Sequence, residues 1–218
     1  MNDLEKKYYD YLMQENAKYN LTNITNIDEV KAKHFDDSYM LGKCFDLTGD
    51  ISICDVGSGA GFPSIALKIK YPNIKVVIIE AMKKRCIFLE SLVKLLDLKD
   101  VKIICGRAED LKDMCEAFDI VTARAVASLP VLLEVCSQFC KVGGYFAPFK
   151  GSNYQEEIDA SNDAAKELNY QLEDIYKYQL AGIDGTDYGN RVIIKYKKIE
   201  STNLKYPRSF GQIKKKTL

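Results

Sequence analysis

The chain of 218 residues contains a single histidine, His34, and no Cys-x-x-Cys pair among its seven cysteines. Both shortages argue against a zinc site of the usual Cys/His kind, so no metal is expected. A Ser-His-Asp or Cys-His nucleophile set would have to be built on His34 alone, and nothing else in the sequence supports one. No apolar run approaches the roughly 18–20 residues that span a bilayer, so no membrane partner is expected. The first residues, Met1-Asn2-Asp3-Leu4-Glu5-Lys6-Lys7, lack the apolar core of a secretory signal. The cysteines, at 44, 54, 86, 105, 115, 136 and 140, are odd in number and scattered through mostly apolar stretches. They read as reduced thiols, which makes a cytoplasmic location the expectation.

What is present fits a soluble α/β protein. Hydrophobic residues make up 47% and charged residues 28% of the chain, ordinary values for one globular domain with a modest extension. Formal net charge is zero, which gives no global nucleic-acid signal. The distribution says more. The first fifty residues lean acidic, whereas the segment after Glu200 carries Lys205, Arg208, Lys214, Lys215 and Lys216 and no acid. Such an end reads either as a phosphate-contacting arm or as a solvated tail.

The most informative stretch is Asp55-Val56-Gly57-Ser58-Gly59-Ala60-Gly61-Phe62-Pro63. Before it, Ile51-Ser52-Ile53-Cys54 reads as a buried strand. After it, 64–70 place apolar residues at helical spacing, and Pro63 suits that helix's first turn. Three glycines thus sit where a strand turns into a helix and a backbone can approach a ligand. A dinucleotide fingerprint needs Gly-x-Gly-x-x-Gly, and Phe62 occupies its last position. The acid-x-Gly-x-Gly-x-Gly turn instead resembles motif I of class I S-adenosylmethionine (AdoMet) methyltransferases. A nicotinamide site and a ligand-free glycine turn are the alternatives at this point. In the motif reading Asp55, Gly57, Gly59 and Gly61 belong to the cofactor site.

Residues 1–45 show helical periodicity over 4–19 and again after Asn26, with capping residues between and no strand signal, and read as a cap on the sheet. From Ile51 onward strands alternate with helices, as in a parallel sheet with right-handed crossovers. The second strand, Lys75–Ile79, ends at Glu80, roughly 20 residues past the turn, where a carboxylate can take both ribose hydroxyls. A helix over 84–97 and a strand over 101–105 lead to Gly106-Arg107-Ala108-Glu109-Asp110, a loop placed for an adenine. Further strands are expected at 118–122 and 145–149, with a helix over 129–140 between them and one over 154–168 after. Pro148 should interrupt or shorten its strand. Two strand-like runs, 171–180 and 191–197, are joined without a helix and must pair antiparallel or lie apart. The expected fold is therefore a Rossmann-like, doubly wound α/β sheet of about seven strands, the last antiparallel. A helical cap (1–45), an AdoMet-binding core (46–200) and a basic C-terminal segment (201–218) divide the single domain.

The acceptor is narrowed by what is missing. No proline precedes a cysteine, as a carbon-5 cytosine enzyme requires, and Thr122-Ala123-Arg124-Ala125 stands where an adenine amino-methylating enzyme has Asp/Asn-Pro-Pro-aromatic. An acceptor already nucleophilic at neutral pH remains, of which guanine N7 is one, because its lone pair carries no proton to remove. A methyltransferase acting on a small molecule or a protein would lack the same motifs. The chain further resembles the RsmG (GidB) family, bacterial 16S rRNA guanine-N7 methyltransferases. The resemblance lies in Tyr19-Asn20-Leu21-Thr22, His34-x-x-Asp37-Ser38, Asp55–Pro63, Lys84-Arg85-x-x-Phe88-Leu89, Gly106-Arg107-Ala108-Glu109, Arg124-Ala125-Val126-Ala127, Lys150-Gly151 and Tyr206-Pro207-Arg208. It implies transfer of methyl from AdoMet to guanine N7 in 16S rRNA or the small ribosomal subunit, by a monomer. It implies cofactor contacts at Gly57, Phe62, Ala108 and Glu109, with Arg124 as the catalytic residue where cofactor meets substrate. Arg107, Lys150, Arg208 and the Lys214-Lys215-Lys216 run become the candidate RNA contacts. Ser64 and Ala123 stand where the family usually has glycine and often serine, and Ser64 could narrow the approach to the cofactor.

Overall fold

In the computed structural model residues 1–111 and 114–218 are described. The chain opens with α1 (Asp3–Tyr19), whose start is fixed by a capping box: Asn2 accepts from the Glu5 N–H and Glu5 reaches back to the Asn2 N–H. Asn20, in the left-handed region at φ 50°, ends it. Asn26 caps α2 (Ile27–Val30), which runs without a break through a π-helical stretch, Lys31–Asp36, into α3 (Asp37–Tyr39) and then α4 (Leu41–Cys44). The helical cap is thus as expected, but sequence periodicity gave no sign of the π turns.

The core alternates β1 (Ser52–Val56), α5 (Ser64–Lys70), β2 (Lys75–Glu80), α6 (Lys83–Leu95), β3 (Val101–Cys105) and β4 (Phe118–Thr122). There follow α7 (Leu129–Cys136), β5 (Cys140–Phe146), the short β6 (Phe149–Lys150), α8 (Tyr154–Asp159), α9 (Asn162–Glu167), β7 (Tyr170–Ala181), β8 (Asp187–Lys198) and α10 (Phe210–Lys215). β1 pairs in parallel with β2 on one side and β4 on the other, so strand order reverses there; β3 lies outside β2 and β5 outside β4. β8 runs antiparallel to β5, β6 and β7. β5 and β6 are one strand broken at Ala147-Pro148, as Pro148 led one to expect, so the sheet is the expected seven-strand arrangement closed by antiparallel strands.

Two helices differ from expectation for identifiable reasons. The helix expected over 129–140 stops at Cys136. Ser137 Oγ donates to the Glu134 carbonyl, and the carbonyls of Gln138 and Phe139 accept instead from the backbone at 116–118, entering β4. The helix expected over 154–168 is split at Ala160-Ser161, where Ser161 Oγ donates back to the Glu157 carbonyl, 2.5 Å away, and competes with the ladder.

One core lies on each face of the sheet. On the first, Tyr8, Leu12, Phe35 and Leu41 of the cap pack with Ile53, Ile65, Phe88 and Leu92. On the second, α7 and α9 pack with Cys54, Val56, Phe146, Tyr196 and Ile213. Ile53 and Asp55 share the cap-side face of β1, while Cys54 and Val56 face the other core, as a period of two dictates.

Candidate active site

The reversal of strand order between β1 and β4 opens a crevice at the carboxyl ends of the strands, the place where open α/β sheets bind ligands. The glycine turn forms its floor, and its three glycines do different work. A Cβ on Gly57 would lie 2.7 Å from Val126 Cγ2, so this glycine admits the chain that follows β4. A Cβ on Gly59 would meet nothing nearer than an Arg85 nitrogen at 4.0 Å: this position faces open space, where a ligand can lie against bare backbone. At Gly61 (φ 101°) a Cβ would strike the Tyr8 hydroxyl at 2.6 Å and Ile65 at 3.0 Å. That glycine lets the cap helix α1 dock, and the Tyr8 hydroxyl then donates to the Ala60 carbonyl at 2.5 Å.

Two hollows meet at this turn. The first, of about 280 Å³, is lined by Gly57, Glu80, Gly106, Arg107, Ala108 and Glu109, by apolar residues of α7, and by Phe210 of α10. Glu80 is buried, and both carboxylate oxygens are aimed by backbone: Oε2 accepts from Gly59 N at 3.2 Å and Oε1 from Met82 N at 2.9 Å. Glu109 is buried and ion-paired with Arg107. The second hollow, of about 370 Å³, lies between the turn and the cap and is lined by Lys33, His34, Asp37, Gly59, Phe62, Arg124 and Arg191. Gly57, Arg85 and Ala125 line both. Among the described residues, buried Ser58 Oγ and Arg85 Nε have no hydrogen-bond partner, which leaves donors for a polar ligand.

Arg124 is held by the cap. Its Nη1 donates to Asp37 Oδ2 at 2.6 Å and to the Lys33 carbonyl at 3.3 Å, while its Nη2 has no hydrogen-bond partner among the described residues. Asp37 Oδ1 accepts from the Tyr178 hydroxyl at 2.7 Å. His34 stacks on Phe62 with ring centres 4.6 Å apart, and its Nε2 meets Thr22 Oγ1 at 3.0 Å. Burial, reinforced by the Arg124 charge, lowers the His34 pKa to about 3, so the imidazole is neutral at physiological pH. A third hollow, sharing Asp37, Arg124 and Arg191 with the second, continues past Lys150 and Glu157.

The structure redistributes several expected residues. Asp55 is fully buried behind the turn, where Oδ2 accepts from Ser64 N at 3.2 Å and Oδ1 has no partner. Burial raises its pKa to about 7, an effect that Ser64 and Arg124 oppose. Neither Asp55 nor Gly61 lines a hollow; both set the turn's shape. Ser64 is fully buried, its backbone N–H bonded to Asp55, and it lines neither hollow. Phe62 borders the second hollow, but its ring is built into the cap, stacked on Tyr8 at 4.9 Å and edge-on to Phe35.

Of the candidate RNA contacts, Lys150 is instead tied to Glu157 at 2.6 Å and to the Ala127 carbonyl. Arg208 is held in a two-pronged pair with buried Glu134 at 2.8 and 2.6 Å. Arg107 is partly exposed, and Lys214, Lys215 and Lys216 are exposed. Sequence reasoning missed Arg191, which lines the second and third hollows and, among the described residues, donates only to its neighbour's carbonyl, Asn190 O. It also missed the site role of Asp37 and Tyr178. Asp37 stood in a recognised run with no role attached, and Arg191 and Tyr178 lie on strands that carried no motif. Among the described residues no group of three or more His, Cys, Asp or Glu side chains could hold a metal ion.

Comparison with known proteins matches this arrangement. The family model described as rRNA small subunit methyltransferase G (GidB) matches residues 1–181. Ribosomal RNA small subunit methyltransferase G of Carboxydothermus hydrogenoformans is 43% identical over 218 residues, covering 99% of this chain and 91% of that protein. The protein of the same name from Mycoplasma capricolum is 44% identical over 210 residues, covering 96% and 88%. Among solved structures, a SAM-dependent methyltransferase from Aquifex aeolicus superposes with a TM-score of 0.59 at 16% identity, over 78% of this chain and 93% of that one.

Proposed function

The chain belongs to the rRNA small subunit methyltransferase G (GidB) family, and from that premise we propose how its residues carry out the reaction. It is an AdoMet-dependent rRNA methyltransferase, with guanine N7 of 16S rRNA as the acceptor that the family methylates.

The residues present fit the cofactor. Glu80, with both oxygens already oriented by backbone donors, accepts the two ribose hydroxyls. Ala108 and Glu109 receive the adenine, and the bare backbone at Gly57 and Gly59 lies along the remainder. AdoMet supplies an electrophilic methyl on a sulfonium. With the cofactor bound, the N7 lone pair would form the new bond to that carbon as the carbon–sulfur bond broke, and the bonding pair would leave with sulfur. No proton is removed from the acceptor, so neutral His34 and the paired Asp37 need not act as a base. What remains is orientation, which can supply effective molarities of about 10⁵–10⁸ M.

The observation that carries this reading is the junction of the two hollows at Gly57, Arg85 and Ala125, with Arg124 beside it. One Arg124 nitrogen is fixed on Asp37 and another is free to hydrogen-bond the guanine. Asp37 and Tyr178 position it, Arg191 offers an unpaired cation to the RNA backbone, and Lys150 and Arg208 hold their loops in place. Arg107 and the Lys214–Lys216 face add phosphate contacts. A ribosomal substrate supports the cytoplasmic location, and a monomer suffices because one chain supplies every residue named.

The test is single-turnover methyl transfer by Arg124→Ala and Arg124→Lys. Loss of one charge-assisted, transition-state contact should slow both by about 10²–10³; Arg124→Ala also strips buried Asp37 of its partner and should lower the melting temperature, whereas Arg124→Lys keeps a cation there and should leave it little changed. Transfer at the parent rate would remove Arg124 from the reaction.

A further inference from the structure

We infer that Phe210 is a cofactor-binding residue, its ring closing the adenine end of the first hollow, so that the C-terminal segment is a clasp on AdoMet. This rests on the reading of that hollow as the adenosine site. It concerns a part of the chain beyond residues 1–181, where the family model ends.

Phe210 is the only aromatic among the described residues that line the first hollow. It shares that lining with Glu80, Ala108 and Glu109, the residues assigned to the nucleoside, and its ring meets Arg107 directly. The rest of the apolar lining is aliphatic, from Ile79, Val126, Val131, Leu132 and Val135. The ring is presented from a fixed mount. Ile213, one turn along α10, is fully buried in the second core, and Arg208 just before the helix is clamped to Glu134 of α7. A capping box between Ser209 and Gln212 sets the helix start. Two cations rest on the ring, the Arg107 guanidinium at 4.3 Å and the Lys214 ammonium at 5.3 Å from its centre.

The segment that the family resemblance made a candidate RNA contact is thus first a wall of the cofactor site. An aromatic ring held rigidly at the edge of a nucleoside pocket offers a purine a stacking surface at little entropic cost. The same mount leaves Lys214, Lys215 and Lys216 exposed, so RNA phosphates drawn to them would press on the clasp from outside.

The experiment uses the full chain with S-adenosylhomocysteine and adenosine as probes, followed by calorimetry. Phe210→Ala should weaken both by about tenfold, equivalent to about 1.4 kcal/mol, because both carry the adenine. The chain contains no tryptophan, so Phe210→Trp places a sole reporter at the site. That variant should bind within about threefold of the parent, since a larger ring still stacks, and its emission should change when S-adenosylhomocysteine is added. If Phe210→Ala proves unstable, the emission of Phe210→Trp decides. An affinity of Phe210→Ala equal to the parent's, or an emission unmoved by bound ligand, overturns the inference while leaving the cofactor reading intact. Failure of the parent itself to bind S-adenosylhomocysteine overturns both.

Discussion

Replacing Glu80 by glutamine tests the cofactor assignment most sharply, because the protein already uses part of that carboxylate. Oε2 accepts from Gly59 N and lies 3.8 Å from Arg85 Nη1, Oε1 accepts from Met82 N, and the residue lines the first hollow, so each oxygen keeps acceptor capacity for a ligand. A hydrogen bond to a charged acceptor is worth about 1.5–3 kcal/mol. Glutamine keeps one acceptor oxygen and turns the other into a donor, so one ribose contact is lost together with one backbone contact, to Gly59 N–H or Met82 N–H. Affinity for S-adenosylhomocysteine should fall by roughly 10- to 150-fold. Glu80→Ala removes both contacts, and the loss should approach twice that free energy. The double-mutant cycle uses a cofactor analogue lacking the ribose 2′-hydroxyl, titrated by calorimetry. Against the parent the analogue should bind weakly; against Glu80→Gln the missing hydroxyl should matter much less, with a coupling of about 1 kcal/mol or more. Strictly additive losses, or full affinity in Glu80→Gln, would show that Glu80 merely braces the glycine turn and would refute the reasoning.

Three further outcomes are expected. The buried carboxyl of Asp55 has a pKa near 7 against about 3.9 in the unfolded chain. The folded state therefore binds more protons between about pH 4 and pH 7, and this group's contribution to stability falls as pH rises through that window. At about 1.36 kcal/mol per pH unit the penalty above pH 7 is at most about 4 kcal/mol, so Asp55→Asn should raise the melting temperature at pH 8 and change it little at pH 4. Equal effects at both values would contradict the burial argument. Gly61→Ala combines a disfavoured backbone conformation with a clash on the Tyr8 hydroxyl and should destabilise by about 2–5 kcal/mol, a loss that Tyr8→Phe in the same chain should partly relieve in chemical denaturation. Changing Lys214, Lys215 and Lys216 together to glutamine should flatten the salt dependence of rRNA binding by a slope of roughly 2, whereas an unchanged slope would leave these lysines as a solvated end.

The parts of the fold legible in the sequence were those set by local chemistry. Uninterrupted runs such as Val76–Ile79 read as strands, the stretch from Asn20 to Asn26 marked helix ends, and the glycine turn announced the crevice. The parts not legible depend on partners far along the chain. Arg124 meets Asp37 at a sequence separation of 87, and Glu134 meets Arg208 at one of 74. No periodicity encodes such pairings. The end of α7 at Cys136 is set by carbonyls that β4 claims, and Phe62, read as a cofactor contact, is drawn into the cap by Tyr8 and Phe35. The Tyr206–Lys216 segment shows the same limit: its charge was visible, but Ile213 and the Arg208 clamp that bring Phe210 to the hollow were not.

The most direct measurement incubates the protein with methyl-labelled AdoMet and small ribosomal subunits, or their deproteinised 16S rRNA, lacking the modification. The RNA is then digested and the labelled nucleoside identified by mass. Label in 7-methylguanosine is the predicted result and fixes donor, acceptor and atom together. No label despite measurable binding of S-adenosylhomocysteine, or label in any other nucleoside, would contradict the account.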